Sequence, residues 1–157
     1  MSMITLKKIF TLSLYCTALL FTQALAETSD GIIRIKSNHD VNTTIERLIT
    51  ALETKGMTIF KRIDHSAGAK SAELNLSPTE LLIFGNPKVG TPLMKCSQTA
   101  ALDLPQKALA YKDESGQVWL LYNDPAYMAS RHHINDCEKA IKKVSNALAN
   151  FTRLATQ

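Results

Sequence analysis

The apolar positions of this chain change period several times, and each change marks a new element. Gly31-Ile32-Ile33-Arg34-Ile35-Lys36 alternates and is rich in β-branched side chains, which predicts a strand. Val41, Ile45, Leu48, Ile49 and Leu52 then fall on one face of a helix, with Asp40 placed to cap its start and Gly56 to end it. Met57 to Ile63 reads as a second strand, 64–70 as a turn or a single helical turn, and 76–79 as a loop. Glu80 to Phe84 is apolar almost throughout, which predicts a strand near the centre of a sheet. Thr91-Pro92 carries a cap followed by proline, so a short helix is expected from Pro92 towards Gln98. Gln106 to Lys112 and Gln117 to Tyr122 form a hairpin through the loop Asp113-Glu114-Ser115-Gly116, and Asn123-Asp124-Pro125 makes a further turn. Ile134, Cys137, Ile141, Val144, Leu148 and Phe151 step by three or four, giving a long carboxy-terminal helix. Strands that pair as hairpins, with helices gathered on one face, make an α+β fold with an antiparallel-rich sheet.

The amino terminus adds a compartment. Lys7-Lys8, the apolar run 9–21 and Ala24-Leu25-Ala26 are the three parts of a secretory signal peptide, with cleavage expected after Ala26. The run is shorter than the roughly 20 residues of a spanning helix. An uncleaved anchor is one alternative. A lipid anchor on Cys16 is another, disfavoured by Leu14-Tyr15 in front of it, where small residues are wanted. Cleavage leaves 157 − 26 = 131 residues, 27–157, a single periplasmic or secreted domain with one core. The removed segment carries two lysines and no acid, so 18 − 2 = 16 cations face 14 acids and the net charge falls from +4 to +2. That balance, with no Lys/Arg cluster, leaves no electrostatic footprint for nucleic acid. Beyond the signal no apolar run is long enough to span a membrane. Cys96 and Cys137 are the cysteines that remain. An oxidising compartment permits a disulfide between them; two buried thiols are the alternative.

Several motifs then appear in a fixed order: Asp64-His65-Ser66-Ala67 with Ala69, Phe84-Gly85-Asn86-Pro87, Gly90-Thr91-Pro92-Leu93-Met94, Leu102-Asp103-Leu104-Pro105, Val118-Trp119, Tyr122-Asn123-Asp124-Pro125 and Arg131-His132. This series resembles the DUF302 family, bacterial and archaeal proteins of unassigned function, over nearly all of 27–157. The resemblance implies a β-α-β(4)-α fold in a TATA-binding-protein-like arrangement, often dimeric. It carries no implication of DNA binding, since one fold hosts unrelated functions. Three positions depart from the pattern. Lys70-Ser71-Ala72-Glu73 lacks the glycine expected before the Leu-x-Pro-Thr turn, Cys96 replaces a small or polar residue, and His133 stands where glycine is common.

The candidate chemistry is polar and gathers at predicted strand ends. His65 follows Asp64 and reads either as an oriented proton carrier or as a cap on the following turn. Asn86-Pro87 and Asn123-Asp124-Pro125 read first as turns that end strands, and otherwise as the rim of a pocket. Asp103 is a cap or a buried carboxylate facing Arg131, the cap being preferred. His132 and His133 are neighbours and would point about 100° apart on a helix, so one metal cannot easily take both. No His-x3-His, Cys-x2-Cys or Asp-x-Asp spacing is present, nor a nucleophile elbow or a phosphate-cradling glycine loop. The leading expectation is an extracytoplasmic binding module for a small molecule or an envelope protein, requiring no cofactor. Its site would be His65, Asn86, Asp103, Tyr122, Asn123, Arg131 and His132. A metal- or haem-related protein using His65 and His132 with Met94 or Cys96 is the alternative, and an acid–base enzyme on the same polar residues is the third.

Overall fold

The computed structural model describes residues 30–157; the expected signal segment and its cleavage position lie outside the described residues. Five strands, β1 (Ile32–Ser37), β2 (Thr58–Asp64), β3 (Thr79–Gly85), β4 (Gln106–Lys112) and β5 (Val118–Asn123), form one sheet in the order β1-β5-β4-β3-β2. Every neighbouring pair is antiparallel. Two long helices, α1 (Val41–Glu53) and α5 (Glu138–Thr156), lie side by side against one face. Three are shorter: α2 (His65–Ser71) and α3 (Pro87–Cys96) connect strands, and α4 (Pro125–Arg131) leads from β5 into α5. The expected α+β architecture, β-α-β(4)-α in its main elements, is the one observed.

The register explains where the core sits. Ile33, Tyr122, Ala108 and Leu82 lie in one row across β1, β5, β4 and β3, and Ile35, Leu120 and Ala110 lie in the next. These side chains face Ile45, Leu48 and Leu52 of α1 and Val144, Leu148, Phe151 and Ala155 of α5 in a single cluster. Burying each large aliphatic or aromatic group there contributes about 1.5–3 kcal/mol. On the opposite face Leu121, Leu109, Leu81 and Ile63 form a row that is only half-buried.

Four sequence expectations change. β3 is interior, but β4 is the central strand, and β3 buries alternate residues rather than both faces. The α3 helix starts at Pro87 instead of Pro92, because Asn86 already supplies the cap and Pro87 the first helical residue, leaving Pro92 inside the helix. Asp124-Pro125 is likewise a helix start, not merely a turn: Asp124 accepts from the Ala126 amide and opens α4. Ile134 and Cys137 fit the period of the last helix but precede it, since α5 begins at Glu138. The chain turns there through His133, whose φ is +53°. Glu73 has φ +60°. Both left-handed positions fall within the two stretches where the family pattern expects glycine, which such backbone favours.

Cys96 and Cys137 are joined by a disulfide, with Cα atoms 6.4 Å apart. Cys96 is exposed and Cys137 half-buried, so the alternative of two buried thiols does not hold. The bridge fastens the end of α3 to the residue that precedes α5.

Candidate functional site

The seven polar residues singled out in the sequence fall into separate environments. Asp103, Arg131 and His132 come together. His132 is 7 % exposed at the end of α4. Its Nε2 lies 2.7 Å from Asp103 Oδ2 and its Nδ1 lies 3.1 Å from Thr99 Oγ1. In the neutral ring, Nε2–H donates to the carboxylate and Nδ1 accepts from the threonine hydroxyl. Arg131 Nη1 donates to both Asp103 oxygens at 3.2 and 3.3 Å. Asp103 is therefore the carboxylate facing Arg131, the second of its two sequence roles. Both ring nitrogens of His132 and both oxygens of Asp103 have protein partners. The cluster ties the 3-10 turn Gln98–Leu102 to the end of α4, close in sequence to the disulfide. We expect His132→Ala to cost about 1–3 kcal/mol in urea unfolding, through the loss of a buried imidazole bonded to a half-buried carboxylate and a hydroxyl. A change below about 0.5 kcal/mol would show that the cluster is not a structural tie.

The other four lie elsewhere. Asp64, not His65, caps α2: its carboxylate accepts from the Ala67 amide at 2.9 Å and the Ser66 hydroxyl at 2.7 Å. Those bonds, the amide first, hold its carboxyl below the usual carboxylate range. His65 is exposed at the first helical position and makes no hydrogen bond with Asp64. Asn123 is exposed at the end of β5, opposite Ile32. Tyr122 is buried on the helix-facing side of the sheet with its hydroxyl against Thr152, and burial pushes its phenol up from the ordinary value. Asn86 is spent on structure as well: Oδ1 accepts from the Lys88 amide and Nδ2 donates to Gly56 O, both at 2.8 Å. Cys96 is held in the disulfide, and among the described residues no three His, Cys, Asp or Glu side chains are grouped to hold an ion.

One concave feature of the surface is built mostly from residues that carried no chemical signal. A cleft of about 590 Å³ opens between α3 and α5 at the end of the sheet. Its floor is Phe84 and Gly85 of β3 with Pro105 and Gln106 at the start of β4. Val89, Gly90, Leu93 and Met94 of α3, with Leu104, form one wall. Val144, Ala147, Leu148 and Phe151 of α5 form the other, and Met57 and Phe60 close the β2 side. Of the seven expected site residues only Asn86 lines it. The volume is within the roughly 300–1,000 Å³ of small-molecule sites, which are mostly apolar. Phe60 stays 51 % exposed beside it, an uncovered aromatic at the lip. Sequence reasoning missed this site because its apolar lining residues read as core and come from separate stretches of chain. The legible signal was the clustering of three motifs, Phe84-Gly85-Asn86-Pro87, Gly90-Thr91-Pro92-Leu93-Met94 and Leu102-Asp103-Leu104-Pro105, each of which supplies lining residues.

Residues 33–151 match the family described as "Domain of unknown function DUF302". Over 126 residues the chain is 48% identical to a protein named "Fluoride-specific ion channel FluC 1" from Brucella suis biovar 1 (strain 1330), covering 80% of this chain and 50% of that one. The same identity and share hold for the protein of that name from Brucella abortus biovar 1 (strain 9-941), of which 47% is covered. The chain thus spans about half the length of the curated relatives it matches. Among solved structures, an uncharacterized conserved DUF302 protein from Bacillus stearothermophilus shares the fold, with a TM-score of 0.73 at 16% identity over 81% of this chain and 99% of that one.

Proposed function

The chain belongs to the DUF302 family, and we propose that it is an extracytoplasmic binding module that holds a small apolar molecule in the cleft between α3 and α5. The observation that carries this reading is the cleft itself: about 590 Å³ lined by aliphatic and aromatic side chains from four separate stretches of chain. Transfer of an apolar ligand from water into such a space is favourable by roughly 25 cal/mol per Å² removed from solvent. The basic, apolar and small-x-small segments of 7–26 support placement outside the cytoplasm. So does the Cys96–Cys137 disulfide, which persists in oxidising compartments. The same reading takes the protein as a homodimer, an expectation that rests on the family likeness alone.

The test is titration with N-phenyl-1-naphthylamine, a neutral apolar dye whose fluorescence rises on leaving water. Wild-type protein should bind one dye per chain. Gly90→Phe should lose that binding, because a Cβ on Gly90 meets only Leu104 Cδ1, at 3.8 Å, so a larger side chain grows into the cleft. The substitution removes a helical glycine, so the fold should not suffer. Equal dye binding by wild type and variant would sink the reading.

A second reading, an envelope protein partner, is favoured by the relatives: there a region 48% identical to this chain makes up about half of proteins named as fluoride-specific ion channels. Among the described residues no helix is long and apolar enough to cross a membrane. Deleting the gene should then sharpen growth inhibition by fluoride; unchanged sensitivity would remove this reading.

A further inference from the structure

We propose that the cleft takes an amphiphile with an anionic head, a long-chain carboxylate type of molecule, its tail against Phe84, Leu104 and Phe151 and its head between Lys55 and Lys143. This rests on the cleft being a ligand site. The cleft's charged lining is one-sided. Lys55, just past the end of α1, and Lys143, in the second turn of α5, are the two charged residues among all those that line it, and no carboxylate does. Both are exposed, and among the described residues neither side chain is engaged by an acid or by a hydrogen bond. Among the described residues the ion pairs are made by arginines and His132, Arg62 with Glu46 and Glu80, Arg34 with Asp30, and Arg131 and His132 with Asp103, and no lysine takes part in one. The two lysines at the cleft are left open to a partner from outside. Their apolar stems can extend the cleft walls while the ammonium groups remain in water, as amphipathic side chains do at apolar surfaces.

A neutral polar head would find only Asn86, Thr91, Gln106 and Asn150, of which Asn86 is already committed at both ends of its amide. A cationic head would face like charge. An anionic head gains attraction to the two ammonium groups, and the tail gains apolar burial against the aliphatic and aromatic lining.

The experiment is displacement of N-phenyl-1-naphthylamine by dodecanoate and by 1-dodecanol at pH 7.5, which share a tail and differ in charge. Dodecanoate should displace the dye at roughly threefold to thirtyfold lower concentration, the range that two partly exposed ion pairs supply. In Lys55→Met/Lys143→Met, which keeps the stems, the two ligands should become equal and the response to dodecanol should not move. Raising the salt should narrow the gap in wild type and leave the variant unchanged. Shortening the tail to decanoate should weaken displacement by roughly tenfold or more, near fourfold for each methylene lost from an apolar site. Equal displacement by the acid and the alcohol in wild type, or a preference that survives the double substitution, overturns the proposal while leaving the apolar site standing. Failure of the dye and both ligands to bind wild-type protein overturns the site reading as well.

Discussion

Replacing Cys96 and Cys137 together by serine should lower the unfolding free energy by about 4 kcal/mol, the chain-entropy value for a bridge spanning 41 residues. For a domain of this size that corresponds to a fall of about 10–20 °C in the thermal midpoint. The bridge should act through the unfolded chain, whose loop it closes, so wild-type protein in excess dithiothreitol should match the double serine variant. It also acts on one place in the folded protein. It joins the last residue of α3 to the residue before α5, the two helices that wall the cleft. The His132–Asp103–Thr99 contacts tie the same end of the fold from the neighbouring turn. The serine variant should therefore lose dye affinity beyond what its residual folded fraction explains. A change below about 1 kcal/mol on removing the bridge would show that it is not a structural element of this domain.

Phe84→Ala should cost about 3–5 kcal/mol, whereas Phe60→Ala should stay within about 0.5 kcal/mol. The two phenylalanines line the same cleft but are anchored differently. Phe84 is 1 % exposed and packs within the cluster shared by the sheet, α1 and α5, so truncation leaves a void among side chains that cannot all move in. Phe60 is 51 % exposed, at the position where the β2–β3 register shifts. There its ring is turned towards Gly85, whose added Cβ would come within 3.2 Å of it. Nothing in the fold depends on that ring. Its removal should weaken dye binding while leaving urea unfolding unchanged. Parallel unfolding and dye titrations on the two variants check both halves: a Phe60→Ala protein that unfolds early, or binds dye as tightly as wild type, contradicts the assignment.

The main elements were legible because each has a strong local cause. The apolar face of α1 and its Asp40 cap are explicit in the sequence, and Gly56 with φ +70° ends the turn after it. The β4–β5 hairpin is announced by Asp113 and Gly116; Asp113 accepts from the Gln117 amide and the Trp119 indole. Proline misled in one place. Thr91-Pro92 has the look of a helix start, but Asn86-Pro87 has the same look five residues earlier and is the one that caps. Periodicity misled in another, where Ile134 is buried at a helical spacing without being helical. The site was harder. Polar side chains at strand ends are conspicuous in a sequence, yet Asn86, Asp64 and Asp124 all spend their oxygens on helix amides. Asp103 faces Arg131, the role less favoured from the sequence, and His132, not singled out there as its neighbour, bonds to the same carboxylate. The cleft draws on Met57, Leu104, Val144 and other residues distant in sequence, and only the fold brings them to one surface.

The most direct measurement of the central claim is native mass spectrometry of the protein isolated from its own cells without refolding, wild type beside Gly90→Phe. Wild type should carry a discrete excess mass that is lost on extraction with organic solvent, and Gly90→Phe should carry none. A bare chain in wild type, or the same excess on both proteins, would contradict a ligand seated between α3 and α5.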